Sequence, residues 1–308
     1  MNDAIRAAGL SKRFGDVQAL APLDLEVMRG EVLGYLGPNG AGKTTTIRLL
    51  LGMLEPTAGR AEIFGKDVHR DTVAAHRRLA YVAGETSLWP SLTGAETLHL
   101  LGRVQGRVDA GYRDELIERF AFDPSRKVRS YSKGNRQKLG LIAGLMSRAD
   151  LLVLDEPTSG LDPLMEREFR RCVQDAKAAG QTVFLSSHIL SEVEALCDRV
   201  AILRSGRLVE VGTLAQMRHL SALAIEATFT GPPPDLSAVP GLTDVKIDGH
   251  QLHARVQGSV EPLLARLTAA RVTQLLSHEP SLEELFLARY GTADGRTGQQ
   301  QEANSDGH

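Results

Sequence analysis

One octapeptide, Gly37-Pro38-Asn39-Gly40-Ala41-Gly42-Lys43-Thr44, limits what this chain can fold into more than any other stretch. It fits G-x-x-x-x-G-K-[ST], and it sits between an apolar run at 32–36 that reads as a strand and a segment at 42–52 that reads as a helix, the context the pattern requires. The glycines let consecutive backbone N–H groups turn inward around β- and γ-phosphates. A Cβ at Gly42 would obstruct that approach, and the helix N-terminus behind it favours negative charge. Lys43 supplies a point charge to the phosphates, Thr44 a hydroxyl to Mg²⁺, and Thr45 continues the binding turn. On its own this element says only nucleoside triphosphate.

A second apolar strand, 151–154, ends in Asp155-Glu156-Pro157. A strand so fully apolar is a rigid mount for the two acids at its carboxyl end. Asp155 is placed to hold the Mg²⁺ shell, and Glu156 to polarise an attacking water. His188 follows a third strand, 182–186, and is expected at the same sheet edge, within reach of a γ-phosphate.

The rest of the chain supplies the frame. Nearly continuous apolar runs, including 200–204, are the mark of parallel strands buried on both faces. They alternate with helix-period segments at 114–122, 132–147, 163–179 and 190–197, the pattern of a sheet covered by helices. Pro163 suits the first turn of its helix. Strand signal vanishes between 93 and 146, where 96–103 and 114–122 read as amphipathic helices inserted into the α/β core. Later runs at 223–230, 243–247, 252–256 and 272–276 read as strands, with helices at 260–270 and 281–290. The middle two strands are expected to form a hairpin on Asp248-Gly249. The domain reading is 1–218 for the core, with its helical subdomain at about 93–146, 219–290 for a small α+β domain, and 291–308 for a disordered tail poor in apolar residues.

Composition excludes several classes. The net charge of -2, from 36 basic and 38 acidic side chains, offers no field to hold nucleic acid. Cys172 and Cys197, the two cysteines, have no disulfide or metal spacing and are read as buried and reduced. No signal-peptide run opens the chain and no segment reaches the roughly 18 to 20 apolar residues of a spanning helix. Membrane association is therefore expected only through a partner.

Taken in order, the phosphate loop, the helical insertion, Ser132-Lys133-Gly134-Asn135-Arg136-Gln137, Asp155-Glu156-Pro157, Ser159-Gly160-Leu161-Asp162 and His188 resemble the ATPase of ABC transporters over about residues 4–215. The family segment Leu-Ser-Gly-Gly-Gln is divergent here: Tyr131-Ser132-Lys133-Gly134-Asn135 keeps the Ser and the second Gly. The resemblance implies an α/β P-loop NTPase with the ABC-ATPase core, an inserted helical subdomain and a small α+β C-terminal domain. It also implies ATP and Mg²⁺ as ligands. Ser132 and Gly134, at a helix start, would meet the γ-phosphate held by a second protomer, so that two copies, or this chain and a second ATPase subunit, pair head to tail. Asp162 would lie at the seam, or cap the helix begun by Pro163, or both.

Two positions depart from the family. Gly84 stands where a Gln is usual, with Glu85 beside it as a substitute or the role lost. Phe14 replaces the Tyr that stacks on adenine; it keeps a π face, the alternative being a core aromatic. The whole chain is similar to drug-export ATPases of the daunorubicin- and tetronasin-resistance kind, on Ser132-Lys133-Gly134-Asn135, Trp89-Pro90-Ser91-Leu92-Thr93 and Pro280-Ser281-Leu282-Glu283-Glu284-Leu285-Phe286. That implies an exporter motor on the cytoplasmic side of the cell membrane, held by a separate permease near 84–92. Tyr81, Leu88, Trp89 and Leu92 would form the contact, or fill the domain's own core. An importer motor and a soluble non-transport ATPase are the alternative functions.

Overall fold

The computed structural model describes residues 3–85, 87–106, 108–219 and 223–278. It opens with two long strands the sequence reading did not anticipate. These strands, β1 (Asp3–Phe14) and β2 (Val17–Met28), pair antiparallel across a turn at Gly15-Asp16. Leu23, Leu25 and Val27 are buried while Asp24 and Glu26 face out, the period-2 alternation of a half-buried sheet. Next come β3 (Val32–Leu36) and α1 (Lys43–Leu50). Then β4 (Ala58–Ile63) and β5 (Lys66–Asp67) complete an antiparallel sheet in the order β2-β1-β4-β5.

The chain continues through α2 (Thr72–His76) and β6 (Leu79–Val82) into three helices, α3 (Gly94–Gln105), α4 (Ala110–Arg119) and α5 (Lys133–Leu145). This is the expected helical insertion. Helix α3 starts on a capping box between Thr93 and Glu96. Helix α4 begins four residues ahead of the expected 114, because the Asp109 side chain accepts the Tyr112 N–H and caps it there. It ends early as well, at Arg119, ahead of Ala121, whose φ of 45° is left-handed.

After the insertion, β7 (Leu151–Asp155), α6 (Pro163–Ala178), β8 (Thr182–Ser187), α7 (Leu190–Leu196), β9 (Arg199–Arg204) and β10 (Arg207–Thr213) follow. The second sheet has the order β10-β9-β3-β8-β7-β6, and every pairing from β9 to β6 is parallel. All residues of β3, β7 and β8 are buried, which is why their apolar runs are continuous. Helix α7 packs so closely on β3 that a Cβ at Gly34 would meet Val193 Cγ1 at 2.6 Å and Cys197 Sγ at 2.9 Å. Cys197 and Cys172 are free and buried, as expected. Arg119 of α4 donates to Glu168 at 2.5 Å and Asp175 at 2.9 Å, tying the helical layer to α6.

Two compact units divide the chain, 1–212 and 213–308. The expected boundary at 218 falls inside α8 (Leu214–His219). The second unit holds β11 (Leu223–Phe229), β12 (Leu242–Asp248), β13 (Gln251–Val256), α9 (Glu261–Ala269) and β14 (Val272–His278), with sheet order β12-β13-β11-β14. Its core gathers Ile225, Phe229, Leu252, Leu263 and Leu267. The β12–β13 hairpin closes on the pair Asp248 and Gln251, so its turn is Gly249-His250, one residue beyond the expected Asp-Gly. The helix expected at 281–290, the tail at 291–308 and the Pro280 to Phe286 motif lie outside the described residues. Among the described residues no helix is long and apolar enough to cross a membrane.

Candidate functional site

Neighbouring parallel strands put the predicted groups at one edge. From β3 outward the carboxyl ends of β3, β8, β7 and β6 lead into Gly37, His188, Glu156 and Gly84 respectively. Ligands of open α/β sheets bind at such carboxyl ends.

In the phosphate loop, Gly42 caps α1 with φ 104°, a conformation that disfavours any side chain. A Cβ there would stand 2.8 Å from the Ala19 carbonyl, so β2 also demands the glycine. The Gly206 N–H donates to Ala41 O at 2.9 Å and pins the loop to the β9–β10 turn. Lys43 is only 5 % exposed; its Nζ donates to Gly37 O at 2.7 Å and pairs with Glu156 Oε1 at 3.1 Å. A buried ammonium held by loop carbonyls and a carboxylate has the charge a triphosphate needs.

Asp155 is buried and accepts the Ser186 hydroxyl at 2.5 Å. Glu156 takes a left-handed backbone, φ 46°, and its N–H donates to Ser186 O at 3.1 Å. Its side chain reaches Lys43 on one side and His188 on the other. His188 Nδ1 lies 3.3 Å from Glu156 Oε2. Lys43, Glu156 and His188, far apart in the chain, thus meet around one carboxylate.

Two cavities flank it. The first, of about 540 Å³, is bounded by Asn39, Gly40, Gly42, Lys43, Thr44 and Thr45, with Glu156 at one side. Its outer wall is Val17-Gln18-Ala19 and Ser205-Gly206, which the sequence reading missed because no motif marks them. The second, of about 430 Å³, brings Thr44, Asp155 and Glu156 together with Tyr81, Gly84 and Lys133. Phe14 is 49 % exposed with the Lys12 ammonium 5.0 Å from its ring centroid, so it is not a core aromatic. It is not among the residues lining the first cavity.

The donor set suits Mg²⁺. Thr44 is exposed and shares a cavity with buried Asp155, and among the described residues no cluster of three or more His, Cys, Asp or Glu could cage a metal. Mg²⁺ is typically held by one or two carboxylates completed by water and substrate phosphates.

At position 84 the backbone leaves no room: a Cβ would stand 2.9 Å from the Asp155 carbonyl. Glu85 is exposed and lines the second cavity. Tyr81 packs against the core and lines that cavity; burial and then the Asp155 charge push its phenol up to about 12. Of the expected contact patch, Trp89 is exposed, and Leu88 and Leu92 are half-buried.

Ser132 caps α5 by accepting the Asn135 N–H at 3.3 Å. Gly134 has a tertiary reason to be glycine, since a Cβ would meet Gly160 O at 2.6 Å. Lys133 donates to Ser159 at 3.2 Å and Gln137 to Pro157 O at 3.0 Å, so the start of α5 is docked on the loop after β7. Asp162 caps α6, accepting the Leu164 and Met165 N–H groups at 3.0 Å each.

The family described as "ABC transporter" matches residues 20–159. The daunorubicin resistance ATP-binding protein DrrA3 of Streptomyces coeruleorubidus is 37 % identical, covering 92 % of this chain and 95 % of that protein. The daunorubicin/doxorubicin resistance ATP-binding protein DrrA of Streptomyces peucetius is 35 % identical, over 96 % of this chain and 94 % of that one. A solved structure of an ATP-binding subunit of an ABC transporter is 32 % identical, with a TM-score of 0.66, over 70 % of this chain and 92 % of its own. The chain belongs to the ABC transporter family, as one of its ATP-binding, ATP-hydrolysing subunits.

Proposed function

We propose that this subunit is the motor of an exporter for antibiotic-like molecules, working on the cytoplasmic face of a membrane while docked on a separate permease. The observation that carries the catalytic part is Glu156, in contact with Lys43 on one side and His188 on the other. In this reading the Lys43 ammonium turns from Glu156 to the β- and γ-phosphates when ATP enters. The freed carboxylate then accepts the proton of the attacking water, and His188 holds the γ-phosphate side of the site. Thr44 and Asp155 would hold Mg²⁺, which would supply positive charge against the phosphates. Phe14 offers its exposed ring to adenine.

The working unit is a head-to-tail pair. The N-terminus of α5, with Ser132 and Gly134, faces the phosphate loop of the second subunit, and Asp162 lies at the seam. Driving such a pair from 1:99 to 99:1 closed takes about 5.5 kcal/mol of differential binding. A single hydrogen bond supplies about 0.5 to 1.5 kcal/mol, so several contacts around each triphosphate must act together.

The cargo reading is supported by two relatives matched over nearly the full chain, one named for daunorubicin resistance and the other for daunorubicin/doxorubicin resistance. Exposed Trp89, flanked by Leu88 and Leu92, gives the permease an apolar foothold. Co-expression with a multispan permease, followed by membrane fractionation, tests the assignment. The chain is expected in the membrane fraction only with the permease, and Trp89→Ala is expected to release it. A chain that stays soluble beside every such permease contradicts the reading.

A further inference from the structure

Glu192 is a buried carboxyl that no motif includes. It lies on α7 at 6 % exposure, and carboxylates are seldom buried so deeply without a cation beside them. Its immediate partners are hydroxyls; Glu166 and Arg170 act on it only from a distance. Ser187 Oγ donates to Glu192 Oε2 at 2.6 Å and accepts the Ile189 N–H at 3.0 Å. Residues 187 and 189, which flank His188, are thereby pinned to one carboxyl. The Thr158 hydroxyl, from the loop that carries Glu156, approaches the same group, yet Oε1 is left without a partner in hydrogen-bond geometry. Thr158 and Ser187 are themselves buried.

One side chain therefore binds the turn around His188 and lies beside the loop that carries Glu156. The left-handed backbone of Glu156 is unfavourable for a non-glycine residue and persists only where its surroundings over-determine it. On one side Ser186 supplies that restraint through the Glu156 N–H. On the other side the loop meets Thr158 and, behind it, Glu192.

We propose that Glu192 is a positioning residue, which acts through Ser187 and Thr158 to hold His188 and Glu156 at their 3.3 Å separation. The inference rests on the assignment of Glu156 and His188 given above. A purely structural carboxyl would affect stability and ATP affinity; a positioning one affects turnover and acts through His188.

Steady-state ATPase, ATP affinity and melting temperature of the full chain, measured on four single variants and one double, test it. Glu192→Ala and Ser187→Ala are each expected to lower kcat about tenfold, since small misplacements of catalytic groups cost that much or more, with ATP Kd changed by no more than about twofold. Glu192→Gln keeps an acceptor for Ser187 and is expected within about threefold of the parent kcat. Added to His188→Ala, Glu192→Ala is expected to cost no more than about twofold further, because coupled residues are not additive. If Glu192→Ala does not fold, Ser187→Ala and Glu192→Gln decide. Parent kcat in Ser187→Ala or Glu192→Ala, a loss confined to ATP affinity, or full additivity with His188→Ala overturns the inference. A slow His188→Ala beside a fast Glu192→Ala overturns this inference alone; an unimpaired His188→Ala overturns the site assignment with it.

Discussion

Lys43 Nζ and Glu156 Oε1 stand 3.1 Å apart, so the phosphate-binding cation and the proposed general base are each other's counter-charge. A triphosphate has to take Lys43 from Glu156, which couples nucleotide entry to release of the base. Glu156→Gln keeps the shape but removes the charge that competes for Lys43. It is expected to slow hydrolysis by about 10² to 10⁴-fold, the usual contribution of a general base, while ATP affinity is unchanged or tighter. Lys43→Ala is expected to weaken ATP binding by about tenfold or more, as loss of a charge-assisted hydrogen bond does. Equilibrium binding beside single-turnover hydrolysis separates the two variants.

Position 84 offers a test of how local packing fixes the site. Gly84→Gln restores the side chain usual in the family, but its Cβ would meet the Asp155 carbonyl at 2.9 Å. Overpacking of this kind costs about 1–3 kcal/mol. The variant is expected to melt lower and hydrolyse ATP more slowly than the parent, because the strain falls on the strand end that carries Asp155. A variant with parent stability and faster turnover would show that the loop yields and that the Gln role was merely vacant.

Asp162 separates capping from coupling. Asp162→Ala removes the acceptor of two N–H groups at the start of α6 and is expected to cost about 1 kcal/mol, or roughly 2–4 °C in melting temperature. Asp162→Asn keeps the cap and is expected to melt like the parent. If Asn also leaves cooperative ATP hydrolysis intact, the carboxylate charge has no part at the seam between subunits.

Burial holds the Glu192 carboxyl above the ordinary range. The folded state therefore keeps its proton at pH values where the unfolded chain has lost it. Stability from this group is fully present below the ordinary Glu pKa and declines as pH rises through the raised folded value. Glu192→Gln removes the titration, so its melting temperature relative to the parent is expected to rise over the range of pH that begins at the ordinary Glu value and runs upward through the raised one. A difference that stays flat across that range would show that Glu192 is charged in the fold at no cost.

What could be read from the residues alone followed from burial on two faces. β3, β7 and β8 are buried throughout, so their apolar runs at 32–36, 151–154 and 182–186 had no competing reading. The antiparallel sheet escaped notice although β2 alternates at 23–27; in β1 the shift between Ala7 and Leu10 breaks the period, so no regular partner strand stood beside it in the sequence. The motifs located Lys43, Asp155, Glu156 and His188 at one edge, since Lys43 comes after β3, Asp155 and Glu156 stand at the end of β7, and His188 follows β8. Tertiary approach was not legible: nothing local says that Gly134 backs onto Gly160 O, that Ala19 O crowds Gly42, or that Glu192 reaches the His188 turn. The Asp109 cap was legible in principle, an Asp before a helical period, and it set the start of α4.

In the proposed head-to-tail pair each working site is shared, the Lys43 loop of one subunit facing the Ser132 turn of another. Mixing two dead variants tests it most directly. Lys43→Ala retains the turn, Ser132→Arg retains the loop, and each alone is expected to lack hydrolysis. In a mixed pair one site regains both halves, so the account predicts that ATPase activity reappears on mixing, rising with the fraction of mixed pairs. A mixture as inactive as its components, although mixed pairs form, would contradict it.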